Sequence, residues 1–257
     1  GLPVLQPERL RDPAFLQQLQ SLRADLQIVV AFRMLPEVVW SMPPMGTFNL
    51  HASLLPRYRG AAPINWAIIN GETETGVTTF MLRHDIDTGD IIMQQSTPIA
   101  PDEDCGTLHD RLMEMGAHLV TCTVDRLEAG HATFTPQSAF EDEALRPAPK
   151  LFRDTCHIDF TRTAAEIHNF VRGLSPHPAA WSMLQLPGMT EPVQVKIFAV
   201  KPVTTVDHAV PGSISTDGRS FLRVSCSDGY VELLNLQLPG KRRMSIRDLL
   251  NGLVRTA

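Results

Sequence analysis

The sequence has 257 residues, of which 43% are hydrophobic and 20% charged, and its formal net charge is −5. This length suits one large domain or two ordinary ones, and the composition is typical of a soluble globular protein. No apolar run approaches the roughly 18 residues that a membrane span requires, and the first residues lack a signal-peptide pattern, which argues against a membrane protein.

The charge is distributed unevenly along the chain. Residues 1–145 carry 9 Lys and Arg against 19 Asp and Glu, whereas residues 146–257 carry 14 against 9. This asymmetry suits a protein whose second half alone faces a polyanion such as nucleic acid, and it equally suits ordinary surface variation between domains. The four cysteines have no metal-ligand spacing, so we expect no zinc site, no disulfide framework and a cytoplasmic location. They are Cys105, Cys122, Cys156 and Cys226.

The first half alternates short apolar runs with helical patterns. Asp12 is placed to cap the first predicted helix, with Pro13 in its first turn. Residues 26–32 form an apolar, β-branched run that is typical of a strand buried on both faces. The alternation predicts an α/β fold with a Rossmann-like, mainly parallel sheet. The predicted strands are residues 3–5, 26–32, 46–51, 76–83 and 90–97, and the predicted helices are residues 12–24, 36–40, 63–70 and 107–128.

The second half has a different pattern. Residues 138–149 are rich in acidic residues and proline and indicate a linker. A helix is predicted at residues 163–174, followed by short strands that turn signals separate, which favours a small β-barrel. The predicted strands are residues 193–200, 212–215, 222–226 and 231–236. The sequence therefore predicts a domain at 1–137, a linker at 138–149 and a second domain at 150–257.

Two polar residues, Asn49 and His51, occupy the end of the predicted strand at 46–51. Side chains alternate along a strand, so both project from the same side, which at the carboxyl end of a parallel strand opens onto the ligand crevice. An amide can stabilise an oxyanion, and an imidazole can transfer protons near neutral pH. Asp87, in a later turn, could orient that imidazole. His51 could also be a structural histidine, and Asp85, Asp87 and Asp90 could form a turn or a cation site.

No serine or cysteine nucleophile elbow accompanies His51, so a covalent acyl-enzyme is disfavoured. The residues suit a direct transfer, in which an amine attacks a carbonyl while the protein handles charge and protons.

The run HASLLPRYRGAAPINWAIINGETETGVTTFMLRHDIDTGDII, preceded by Asn49, resembles the folate-dependent formyltransferases. In that family, an Asn-x-His-x-Ser-Leu-Leu-Pro run and a later Asp-Thr-Gly-Asp turn form the catalytic site. The resemblance implies that Asn49, His51 and Asp87 are the catalytic residues. It further implies that Ser53, Leu54, Leu55 and Pro56 line the folate site, and that Ala31, Phe32, Arg33 and Met34 supply backbone contacts to the pterin.

The second half resembles the C-terminal domain of the methionyl-tRNA formyltransferase branch of this family. The resemblance rests on APKLFRDTCHIDFTRTAAEIHNFVRGLSPHPAAW and on LQLPGKRRM followed by LNG. It implies an OB-like barrel that contacts tRNA. Ala179 departs from the family pattern, in which a glycine is frequent. His177 also departs, since a bulky aromatic residue is frequent there.

The basic residues could serve RNA or structure. Lys241, Arg242 and Arg243 close a barrel of a nucleic-acid-binding type, so we expect them to contact phosphate, the alternative being a solvated run of charge. Arg57 and Arg59 could contact RNA phosphate, but we expect them to brace their loop.

The resemblance implies that a formyl group passes from 10-formyltetrahydrofolate to the α-amino group of methionyl initiator tRNA, without a metal, in a monomer. Two kinds of alternative remain open. One is a formyltransferase acting on an amino sugar or a purine precursor, or a formyl-folate hydrolase. The other is a catalytically idle RNA-binding homologue.

The resemblance also implies that a segment precedes this sequence in the family. Residues 3–5 match the third strand of a sheet ordered 3-2-1-4, whose inner two strands would come earlier in the chain. At about 30 residues per βαβ unit, we expect about 50–60 further residues there. The alternative is a naturally short homologue whose sheet begins here and is completed by a partner chain.

Overall fold

The computed structural model describes residues 2–31, 34–140, 145–205 and 209–254. It contains six α-helices and ten strands within these ranges. The helices are α1 (Pro13–Ser21), α2 (Glu37–Trp40), α3 (Pro63–Ile69), α4 (Cys105–Glu128), α5 (Ala164–Leu174) and α6 (Ile246–Val254), with 3-10 turns at Gln137–Phe140 and Asp154–Cys156. The strands are β1 (Gln27–Val30), β2 (Thr47–His51), β3 (Glu74–Met81), β4 (Ile91–Pro98), β5 (Ala180–Leu184), β6 (Val193–Thr204), β7 (Ile214–Thr216), β8 (Leu222–Cys226), β9 (Gly229–Gln237) and β10 (Met244–Ser245).

Most elements agree with the sequence predictions to within a few residues. Asp12 caps α1, since its carboxylate accepts the Ala14 N–H at 2.8 Å. Thr163 and Glu166 form a reciprocal capping box at the start of α5. The sequence analysis missed β5, β10 and α6. No helix among the described residues is long and apolar enough to cross a bilayer.

The chain forms two compact units. The first comprises residues 1–60, 75–97 and 111–147, and the second comprises residues 61–74, 98–110 and 148–257. The domain boundaries expected from the sequence remain a prediction.

The sheet of the first unit has the strand order β1-β2-β3-β4. β1 and β2 are parallel, whereas β2 and β3 are antiparallel. The sheet is therefore mixed rather than mainly parallel. The physical reason is that residues 52–73, which connect β2 and β3, form a connection long enough for either direction, so the alternation of strands and helices does not by itself fix how the two strands pair.

Two predictions at the start of the chain are wrong. Residues 3–5 form no strand, and Leu2 and Val4 are 92% and 76% exposed, so no packing supports a strand there. The β1 strand is not buried on both faces, because Ile28 and Val30 are 44% and 56% exposed while Val29 is buried. Among the described residues, β1 pairs only with β2, which makes it an edge strand.

The second unit is built on an antiparallel sheet with the order β5-β6-β9-β8-β7, and β10 also pairs with β9. The apolar face of α5 packs against this sheet, with Ile167, Val171 and Leu174 among its fully buried residues. The alternating burial of β6 and β9 fits a sheet with one face in the core.

Ala179, where the family often has glycine, adopts the left-handed conformation with φ of +76°. This region is unfavourable for a residue with a Cβ, which explains why glycine suits the position. Its N–H donates to the Leu174 carbonyl at 2.9 Å, so the turn after α5 closes on the end of that helix.

Close contact between α3 and α5 yields a stability prediction. A Cβ at Gly173 would lie 2.7 Å from Ile69 Cγ1 and 3.1 Å from the Asn65 carbonyl oxygen. Gly173→Ala should therefore lower the free energy of unfolding by about 1–3 kcal/mol, because the helices must move apart. Urea denaturation followed by circular dichroism measures this.

Gly252→Ala in α6 is the matched control, because a Cβ there would meet nothing within 4 Å. Alanine has the higher helix propensity, so this variant should be neutral or up to about 1 kcal/mol more stable. Equal stability of the two variants would contradict the packing argument.

Candidate active site

Asn49 and His51 lie together on β2, an interior strand of the first sheet. They are 4% and 7% exposed. Asn49 is opposite Val29 of β1 and Phe80 of β3, and His51 is opposite Thr78. The predicted placement on one side of the strand end follows from this register, because residues i and i+2 share a face.

The opposite face of β2 is covered by α4. Phe48 is fully buried, and a Cβ on Gly116 of α4 would lie 2.6 Å from Leu50 Cδ2. The helix α4 therefore approaches β2 closely at Gly116, which has no side chain. Hydrophobic packing fixes β2 from this side and leaves the loops to contact Asn49 and His51.

Both ring nitrogens of His51 face hydrogen-bond acceptors. Nε2 lies 2.9 Å from the Tyr58 carbonyl oxygen, and because a carbonyl only accepts, Nε2 must carry a proton. Nδ1 lies 3.9 Å from Asp87 Oδ2, a distance suited to charge attraction but too long for a direct hydrogen bond. The surroundings therefore accommodate an imidazolium, and the gap at Nδ1 allows another atom to approach.

Asn49 has an unsatisfied acceptor. Its Oδ1 is buried and has no hydrogen-bond partner among the described residues. Such atoms are rare in folded proteins because an unpaired buried acceptor costs free energy, so each one calls for a missing ligand, a water or a functional role. Next to His51, this atom indicates a site that binds a polar group.

Asp87 is held in an uncommon backbone conformation, with φ of +55°. Its Oδ2 accepts the Gly60 N–H at 3.0 Å. Two residues later only glycine fits, because a Cβ at Gly89 would lie 1.6 Å from the Met81 carbonyl oxygen. The Asp-Thr-Gly-Asp turn is thus folded back on β3, and this brings Asp87 to His51.

The cation-site alternative for the aspartates finds no support in their contacts. Asp90 pairs with Arg83, and Asp85 is exposed. Among the described residues no group of three His, Cys, Asp or Glu could hold a metal ion.

Gln137 belongs to this site, and the sequence analysis missed it. Its amide Nε2 donates to the carbonyl oxygens of Asp87 and Gly89 at 2.8 and 2.9 Å. Its Oε1 accepts from Arg59, with Nε at 2.9 Å. Arg59 therefore braces the loop after β2, as expected. No local pattern in the sequence marks Gln137, which is the last residue before the predicted linker.

The predicted folate residues differ in how accessible they are. Ser53 is fully buried and its hydroxyl donates to the Arg57 carbonyl at 2.7 Å, and Leu55 is 2% exposed in a cluster with Phe80 and Ile91. These two side chains shape the loop after β2. Leu54 is partly exposed, Pro56 is buried and Met34 is 75% exposed. Ala31 is exposed with φ of +47°, and Phe32 and Arg33 lie outside the described residues.

Three of the four cysteines are poorly suited to act as nucleophiles. All four are free thiols. Burial raises the pKa of the Cys105 thiol to about 12, and burial also raises the pKa of the Cys156 and Cys226 thiols. These three thiols therefore stay protonated at neutral pH, which agrees with a direct transfer.

The basic cluster Lys241–Arg243 lies in the turn between β9 and β10 of the second unit, and all three side chains are exposed. The Arg243 guanidinium lies over the Phe198 ring, 4.6 Å from its centroid. Stacking of this kind uses the face of the guanidinium and leaves its N–H edges available.

Comparison with known proteins agrees with this arrangement. The family model of formyl transferase matches residues 2–124, and that of the formyl transferase C-terminal domain matches residues 150–254. A methionyl-tRNA formyltransferase of Parabacteroides distasonis is 60% identical over 255 residues, which cover 98% of this chain and 78% of that protein. Its counterpart from Bacteroides fragilis is 56% identical over 252 residues, with the same coverage.

Solved structures share the fold. HypX from Aquifex aeolicus in complex with tetrahydrofolic acid superposes with a TM-score of 0.67 at 20% identity, over 95% of this chain and 42% of that chain. The sugar 3N-formyl transferase WlaRD superposes with a TM-score of 0.59 at 21% identity, over 87% of this chain and 77% of that chain. With both family models matched in order along nearly its whole length, the chain belongs to the formyl transferase family.

Proposed function

We propose that this chain transfers the formyl group of 10-formyltetrahydrofolate to the α-amino group of methionine on initiator tRNA, a step of translation initiation. The observation that carries the proposal is the largely buried group of Asn49, His51 and Asp87, in which one amide oxygen lacks a partner among the residues that the structure describes. The names of the relatives that are 56–60% identical support the acceptor.

The proposed chemistry assigns Asn49 and His51 to the formyl oxygen. When the amine attacks the formyl carbon, negative charge develops on this oxygen, and the Asn49 amide and His51 Nδ1–H would donate hydrogen bonds to it. One such donor contributes about 3–4 kcal/mol of transition-state stabilisation in related acyl transfers. The Tyr58 carbonyl, 2.9 Å from Nε2, would keep the ring in the orientation that points Nδ1 at the substrate.

Asp87 would stabilise the His51 imidazolium across the 3.9 Å that separates them and help to route the amine proton to the leaving nitrogen of the folate. The α-amino nucleophile needs little activation, since such groups titrate near pH 8 and are partly neutral in the cell. Asn49 Oδ1, which has no partner among the described residues, fits an attacking amine that brings its own N–H donor.

The second domain, residues 150–257, would bind the tRNA as an OB-like barrel, joined by the linker at 138–149 to a catalytic domain at 1–137. The antiparallel sheet with α5 against it supports the barrel assignment. The exposed Lys241, Arg242 and Arg243 support phosphate binding. Phe198 reduces the freedom of the Arg243 side chain and so lowers the entropy cost of a phosphate contact.

An amino-sugar acceptor is the nearest competing function, because sugar N-formyltransferases share the fold. The matched C-terminal domain and the higher identity to methionyl-tRNA formyltransferases favour tRNA. A transfer assay with radiolabelled formyl-folate decides between them: charged initiator tRNA should be formylated, and a nucleotide-linked amino sugar should not. Transfer to neither would support the idle RNA-binding homologue.

Asn49→Ala and His51→Ala should each lower kcat by about 100-fold or more, because each removes a donor to the developing oxyanion. Folding and folate affinity should change little. Steady-state kinetics and folate fluorescence titration measure these effects. The control is Thr79→Val on the opposite face of the sheet, where the Thr79 and Thr123 hydroxyls form a buried hydrogen bond of 2.9 Å. Near-wild-type turnover in either alanine variant would refute its assigned role.

Asp87→Asn tests the role of the charge. The amide oxygen can still accept the Gly60 N–H, but the negative charge facing His51 is lost. We expect kcat to fall by about 100-fold while the melting temperature stays close to that of the wild type. Retained activity in single-turnover kinetics would reduce Asp87 to a turn residue.

Replacing Lys241, Arg242 and Arg243 together by alanine should weaken tRNA binding and lower the slope of log Kd against log salt by about 2–3, because fewer counterions are released. Filter binding over a range of KCl concentrations measures the slope. A control with the same change in net charge replaces Lys201, Arg219 and Arg247, which are also exposed in the second unit. An equal effect in both variants would show that only overall charge matters.

A further inference from the structure

Gln137 joins the two loops that surround His51. The loop after β2 supplies three contacts from three consecutive residues, 58–60: the Tyr58 carbonyl accepts from His51, the Arg59 guanidinium donates to Gln137, and the Gly60 N–H donates to Asp87. Gln137 in turn donates to the main-chain carbonyls of Asp87 and Gly89. With 6% of its surface exposed, Gln137 has little contact with solvent that could replace these bonds.

The chemistry of the partners fixes the orientation of the Gln137 amide. Arginine can only donate and carbonyl oxygens can only accept, so Oε1 must face Arg59 and Nε2 must face the turn at residues 87–89. Both protons of Nε2 and the oxygen are used. Glutamate could keep the Arg59 contact but would place a second oxygen against two carbonyls, and methionine could keep neither.

We infer that Gln137 is a positioning residue for the transfer reaction, which holds the turn at residues 87–89 so that the Asp87 carboxylate faces His51. The inference rests on the proposed function for its kinetic consequence. The turn at residues 87–89 requires a residue that holds it in place, because Asp87 adopts φ of +55°. A residue with a Cβ keeps this conformation only when its surroundings enforce it. Arg59 acts through Gln137 by fixing the amide.

The position of Asp87 is sensitive to small movements of this turn. Its carboxylate already lies 3.9 Å from Nδ1, at the limit of an ion pair, and among the described residues its hydrogen-bond donor is the Gly60 N–H. Release of the two main-chain carbonyls would let the turn relax and lengthen this distance, which weakens the stabilisation of the imidazolium. The substrate-binding groups would stay in place.

A double-mutant cycle with Asp87 tests the inference. Gln137→Met and Gln137→Glu should each lower kcat by about 10-fold, with KM for folate and tRNA within about 2-fold of the wild type. In the Asp87→Asn background the same substitutions should lower kcat by less than about 2-fold further, because the group that they position is already impaired. A merely structural residue would lower activity by equal factors in both backgrounds, and that result would overturn the inference. So would full activity of Gln137→Glu.

Two further measurements keep the test decisive. Arg59→Met leaves Gln137 in place and should show a smaller loss of kcat with the same non-additivity, so it replaces the Gln137 variants should these fail to fold. Hydrogen–deuterium exchange of a peptide covering residues 84–90 should be faster in Arg59→Met than in the wild type and unchanged in Thr79→Val. If the wild type fails to formylate tRNA, the proposed function fails, while unchanged exchange in Arg59→Met would overturn the positioning role independently.

Discussion

This site depends on one physical constraint, which is that a buried amide and a buried imidazole on the same interior strand both need hydrogen-bond partners. Burying polar groups costs free energy unless each polar atom has a partner. The strand itself supplies none for the side chains of Asn49 and His51, because its backbone groups are used by β1 and β3. Two loops therefore have to reach over the strand end, and one atom, Asn49 Oδ1, is left without a partner among the described residues.

The two loops meet this requirement with main-chain groups as much as with side chains. A carbonyl at residue 58 and an N–H at residue 60 contact His51 and Asp87, and these groups are provided by backbone geometry, whatever the residue. Gly89 permits the close approach to the Met81 carbonyl that folds the Asp87 turn back. A single buried amide, Gln137, then ties both loops together. The geometry of the site is thus built on short hydrogen bonds. In each of them at least one partner can act only as a donor or only as an acceptor, so the direction of the bond is fixed.

The two units meet different physical demands. The first unit places polar groups in a low-dielectric interior, where hydrogen bonds and charges act strongly. The second unit has a large apolar cluster packed against α5 and keeps its basic cluster exposed. The RNA partner that we propose suits this division, because phosphate attraction works from the surface at long range, whereas the proposed formyl transfer needs a dry, fixed site.

The sequence by itself determined the elements whose causes are local. The Asp12 cap, the α5 helix and the alternation that places Asn49 and His51 on one face all follow from neighbouring residues. The motif resemblance indicated Asp87 although it is 36 positions from His51. Only the tertiary structure decided the direction of β3, the exposed face of β1 and the contacts of Gln137. Strand direction depends on the path taken by a connection that is long enough for either sense, and exposure depends on what covers a sheet face. The Gln137 contacts join residues 48 to 78 positions apart, a separation at which no periodicity or spacing carries information.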